Sequence, residues 1–125
     1  MAARTPMVKR TRRLAGAMLT FLLQAEDDTL REFAAAAKSG RAAKTLVKQG
    51  AQRVTLVALS HGAALPAHRV AAAVSVQTVR GCVKVGTDRG EVELPAGALV
   101  AFGPGVTHTA RAVGDSSILI TVSMP

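Results

Sequence analysis

Tryptophan and tyrosine are missing altogether, and three phenylalanines are the only Phe, Tyr or Trp rings in the chain. A surface on which nucleic-acid bases stack needs such rings, so their scarcity argues against a single-strand binding platform. The core must rest on valine and leucine instead, and valine leans towards strands. Cysteine occurs once, as Cys82, which excludes an intrachain disulfide and removes any need for an oxidising compartment. Alone and without a paired motif, Cys82 reads as a small buried apolar residue. Long hydrophobic runs are lacking too. The mostly apolar stretch Leu14–Leu23 is too short to span a bilayer. Acidic residues are few, eight against sixteen lysines and arginines, for a net charge of +8.

That charge is local. Arg4, Lys9, Arg10, Arg12 and Arg13 precede the first acid, Glu26, and from Leu14 onward the charges are spread. A basic tail on a weakly basic domain is the reading, with no nucleic-acid partner. Residues 1–25 form this tail, 26–49 a helix and lead-in, and 50–125 one barrel domain. Basic residues ahead of Leu14–Leu23 have the layout of a secretory signal, but Gln24-Ala25 makes a poor cleavage site. An amphipathic helix bringing Leu14, Met18, Phe21 and Leu22 to one face is a second reading, and a start at Met18 a third. A loosely docked tail on a cytoplasmic protein is the expectation, with export as its alternative.

Thr29-Leu30-Arg31-Glu32 has the form of a capping box, and Leu30, Phe33, Ala34 and Ala37 follow on one helical face before Gly40. This predicts one short helix, roughly Leu30 to Ser39. Arg41, Lys44 and Lys48 read as a solvated face. From Gln52 the pattern turns to short strands: 53–59, 73–79, 82–85, 91–94, 98–102, 107–113 and 118–122, joined by glycine-rich turns such as Gly86-Thr87-Asp88-Arg89-Gly90. Strands at this spacing indicate a sandwich or barrel rather than an α/β domain.

Two histidines precede or open strands after bends that contain proline: His68 after Leu65-Pro66-Ala67, and His108 after Gly103-Pro104-Gly105. Here the chain resembles the cupin family, small β-barrels of jelly-roll type. That family's second motif is glycine, five residues, proline, one residue, glycine, two residues, histidine. Gly97, Gly103 in place of the proline, Gly105 and His108 fall on its frame. The first motif is glycine, five residues, histidine, one residue, histidine, three residues, glutamate, six residues, glycine. Laid on His68, it begins at Gly62 and ends at Gly81 without a gap. The agreement covers about Gly50 to Met124, and two motifs matching in order carry more weight than either alone. The resemblance implies an all-β fold, a small jelly-roll barrel with one short N-terminal helix.

The departures bear on function. The first motif's second histidine is Val70 and its glutamate is Val74; an asparagine that can follow the second motif is Ala112. A typical cupin cage offers a divalent metal three imidazoles and a carboxylate, whereas His68 and His108 alone remain as metal ligands. His61 is a donor by identity, at an exposed turn position. Alternation puts Val74, Val76 and Thr78 on one face, and Val106, His108, Ala110 and Ala112 on another. Arg69 and Arg111 then point outward. If both faces look inward, His68, His108, Val70 and Val74 border a mostly apolar pocket of the kind that takes a small molecule.

The preferred expectation is therefore a cupin-like protein that binds a small-molecule ligand in its barrel without a complete metal centre. Its alternative is a metal-dependent enzyme of dioxygenase or isomerase type, using His68, His108 and an atypical third ligand. A third expectation is a dimerisation module, since proteins with strand edges of this kind associate through them, and a homodimer is compatible with either of the others.

Overall fold

Strand-period burial organises residues 14–125, which the computed structural model of the protein describes. The basic residues ahead of Leu14 lie outside the described residues. The elements in order are α1 (Leu23–Ala36), β1 (Arg41–Gln49), β2 (Gln52–Leu59), β3 (Ala64–His68), β4 (Ala73–Arg80), β5 (Cys82–Thr87), β6 (Gly90–Pro95), β7 (Leu99–Phe102), β8 (His108–Ala112) and β9 (Ser116–Ser123). They form a five-stranded sheet, β1-β2-β9-β4-β7, and a four-stranded sheet, β3-β8-β5-β6, with every pairing antiparallel. Two facing antiparallel sheets with crossovers between them are the expected jelly-roll architecture.

Helix α1 covers the outer face of the first sheet at β1 and β2, which buries the second half of β2 on both faces and explains why it reads as a nearly continuous apolar run. Val57 and Leu59 join Val74, Val76, Val83, Val85, Ala110, Ala112 and Ile118 in the core between the sheets. Leu56 and Ala58 point the other way, into a second layer with Leu30 and Ala34 of α1 and Ala42 and Leu46 of β1. Complete burial of Leu30 in that layer is worth roughly 1.5–3 kcal/mol, more than the helix's intrinsic propensity supplies.

The helix begins earlier than the capping box predicts. Leu22 is its N-cap and makes no side-chain capping bond, while the Thr29 hydroxyl lies 3.5 Å from the Ala25 carbonyl inside the helix. Packing of Phe21 and Leu23 on the second layer extends the helix backwards, and Glu26 favours its N-terminal dipole. Phe33, expected on the buried face, is 48% exposed. Residues 14–22 are not helical: Met18 is 84% and Leu22 80% exposed, so the expected four-residue apolar face does not form. Instead, the Lys48 amide donates to the Leu14 carbonyl and the Gly16 amide to the Gln49 side chain, laying residues 14–16 along the outer edge of β1.

Strand β1 itself escapes the sequence reading because cations interrupt its apolar pattern. They are not a plain solvated face. Arg41 donates to the Ala64 carbonyl at 3.0 Å, and Lys44 pairs with Glu26 at 2.6 Å; Lys48 alone is exposed. A second ion pair fastens α1 to the sheet. Arg80 at the end of β4 reaches Asp27, which is 2% exposed, at 2.6 Å and also approaches the Ser116 carbonyl. Asp27→Ala leaves the Arg80 cation half-buried without its partner, and a loss of roughly 2–3 kcal/mol is expected, below the fully buried case because Arg80 is partly solvated. Urea unfolding checks this; an unchanged midpoint would show that the pair does not hold the helix in place.

Candidate functional site

Along β8, burial alternates strictly, so His108, Ala110 and Ala112 face the core while Thr109 and Arg111 face out. On β4, Val74, Val76 and Thr78 are likewise buried. Both faces expected to line the interior do so along these strands, while Val106, expected beside His108, lies ahead of β8 and is half-buried. Thr78 keeps its hydroxyl satisfied by donating to the Leu94 carbonyl at 2.9 Å, which leaves the wall around it apolar.

His108 is 5% exposed, and two contacts fix its ring. The Phe102 ring stacks on it with centroids 4.7 Å apart and planes 8° from parallel. Nδ1 lies 3.1 Å from the Val106 carbonyl oxygen. A carbonyl only accepts, so that bond assigns a proton to Nδ1. The sequence reading missed Phe102. Its signal was register: β7 pairs with β4 so that Phe102 stands opposite Val74, and opposite residues of an antiparallel pair share a face.

His68 comes into register with His108 through an irregularity in β3. Leu65 pairs with Ala110, and unbroken pairing would put His68 opposite Thr107; one extra residue at Pro66-Ala67 puts it opposite His108. Proline is tolerated there because β3 is a sheet edge. Val70 follows, half-buried against the core, and its carbonyl accepts the Gly105 amide at 2.9 Å. Gly105 has φ +80°, a conformation that glycine adopts without strain, so the bend before His108 is tied to the segment that carries Val70. The structure thus places Val70 and Val74 against the core and His68 in backbone register with His108.

His61 is not brought to this group. It lies at the other end of β3, exposed, where its amide donates to the Asp115 carboxylate and its Nδ1 accepts the Gly114 amide at 2.7 Å. Arg69 and Arg111 are exposed, as alternation predicts. Val70 and Val74 present hydrocarbon, which neither coordinates nor solvates a cation. No group of three His, Cys, Asp or Glu that could hold a metal occurs among the described residues. Two imidazole positions fall short of the three protein ligands of a zinc site, so these residues do not fit a complete metal centre.

No family model matches the chain, and no curated protein matches it. Solved structures do. A cupin-superfamily protein from Desulfitobacterium hafniense aligns with TM-score 0.66 at 10% identity, over 68% of this chain and 78% of that one. KdgF from Halomonas sp. gives TM-score 0.66 at 19% identity, over 70% and 82% of the two chains. An RmlC-like cupin from Shewanella frigidimarina gives TM-score 0.66 at 21% identity, over 70% and 78%. The chain has the cupin fold, an all-β jelly roll with one helix packed outside. At these identities the likeness defines the fold alone. Among the described residues no helix is long and apolar enough to cross a membrane.

Proposed function

We propose that this cupin-fold protein binds a small molecule in its barrel, with His68, His108, Val70 and Val74 bordering the ligand and without a complete metal centre. The observation that supports this most is His108, a buried imidazole on the same strand face as Ala110 and Ala112, its ring oriented by Phe102 and the Val106 carbonyl. One oriented polar atom in an apolar wall is how small-molecule pockets set ligand orientation.

Phenol and cyclohexanol are suitable neutral probes, followed by NMR at the methyls of Val76 and Ala110. At least one of them is expected to give saturable shifts there, weakened tenfold or more by His108→Ala, equivalent to about 1.4 kcal/mol. Binding that ignores His108→Ala, or no saturable shift from either probe, would overturn the proposal.

The alternative is a metal-dependent enzyme of dioxygenase or isomerase type, and the register of His68 opposite His108 is what speaks for it. Metal analysis of untagged protein decides between the two. Stoichiometric metal that is lost when His68 and His108 are both changed to Ala would replace the first reading with the second. We also propose that the chain works in the cytoplasm as a homodimer, since apolar Val92 on edge strand β6 and Leu99 on edge strand β7 are exposed. Sedimentation at high concentration should find a dimer.

A further inference from the structure

Three loops converge at the end of the barrel where β8 begins. Arg69 follows β3; Thr87, Asp88 and Arg89 form the β5–β6 turn; residues 101–107 close β7 and bend into β8. Together they line an open cleft of about 570 Å³. We propose that this cleft binds a small organic carboxylate, held by Arg69 and Arg89. The cleft lies at this end of the barrel, and its two arginines are exposed.

The charges carry the argument. Arg31 and Arg80 sit in ion pairs, and Arg41 and Arg53 donate to backbone carbonyls. By contrast, the guanidinium groups of Arg69, Arg89 and Arg111 make no ion pair or hydrogen bond among the described residues, and the first two of these line the cleft. Two unpaired cations on one cleft repel each other, and an anion between them removes that repulsion while both planar forks match a carboxylate. The Thr87 hydroxyl oxygen accepts the Arg89 amide, which leaves its proton to donate. Asp88 is the opposing group on the same cleft. One carboxylate against two guanidiniums leaves a single net positive charge, which one bound carboxylate neutralises.

The cleft also has an apolar side. Ala101, Phe102 and Val106 line it, and Phe102 is the ring that stacks on His108. A carboxylate with a small apolar body therefore fits both halves: its charge on the arginines, its body on Phe102 and Val106.

The test is an NMR titration of the full chain at low salt with benzoate, benzamide and phenyl phosphate. It reads the side-chain Nε–H groups of Arg69 and Arg89 and the amides of Thr87 and Thr107. Benzoate is expected to saturate these signals, with benzamide at least tenfold weaker and phenyl phosphate no tighter. Arg69→Gln together with Arg89→Gln should weaken benzoate tenfold or more. Both residues are exposed, so the variant keeps its amide spectrum and its phenol shifts at Val76 and Ala110. Benzoate binding indifferent to the arginine changes, equal binding of benzamide, or shifts that never saturate would overturn the proposal. Tighter phenyl phosphate binding would overturn the assignment to a carboxylate. Loss of phenol binding at the barrel methyls with benzoate retained at the rim would overturn the barrel reading and leave this one standing.

Discussion

Gly81→Ala is expected to lower stability by roughly 2–5 kcal/mol, a large share of the 5–15 kcal/mol that holds a domain of this size together. Two effects add. Gly81 has φ +77°, where a side chain costs about 1–2 kcal/mol. A methyl group there would also come within 2.5 Å of the Asp115 carbonyl oxygen and closer still to Ser116 Oγ. Making room adds about 1–3 kcal/mol, because these neighbours are fixed. Ser116 Oγ accepts the Cys82 amide and lies within 3.0 Å of the Cys82 and Gly114 carbonyls, so moving it disturbs the start of β9 and the crossover from β4 to β5 together. Gly50→Ala is the control. Its φ is +53°, but nothing lies within 4 Å of the added atom, so it should show the conformational part alone, about 1–2 kcal/mol. Urea unfolding of the two variants separates the terms. Equal losses would show that the close approach to Ser116 relaxes at no cost.

Gly81 is also where sequence and structure meet most directly. It closes the first motif's frame, and the reason for a glycine there is a crowded crossover that the spacing alone does not reveal. Strands with one buried face were legible for a similar reason. Alternation in His108–Ala112 and Val74–Thr78 is sharp because each outward position is free to be polar. Strand β1 was not legible, since Arg41 and Lys44 turn their charged ends to Ala64 and Glu26 across the fold, partners no local pattern announces. The helix start was misplaced for the same reason: burial of Phe21 and Leu23 on a distant layer outweighs a well-formed capping sequence. Of the candidate site, His68 and His108 were legible from motif spacing. Phe102 required the β4–β7 register. The Arg69–Arg89 cleft required knowing that β8 pairs with β5, which carries the β5–β6 turn to the bend before His108.

The largest effect on the site itself is expected from Val70→His combined with Val74→Glu, which restores the side chains that the cupin frame has at these positions. Val74 is buried among apolar residues, so Val74→Glu places an uncompensated carboxylate there and costs roughly 3 kcal/mol or more without metal. A divalent ion held by the two introduced groups and the histidines would remove that cost, and at a hundredfold excess over its dissociation constant it adds about 2.7 kcal/mol. The double variant should therefore melt well below the parent in chelator and recover in Ni²⁺ or Zn²⁺, while the parent's melting temperature stays unmoved by either ion. Recovery confined to the variant means that the frame is placed correctly at 70 and 74, and that two valines are what separate this barrel from a metal centre. No recovery would show that the frame, although its glycines fit, does not direct positions 70 and 74 at His108. A parent that responds as strongly as the variant would mean that its own residues already complete a site, and the metal-dependent reading would then take precedence over the ligand-binding one.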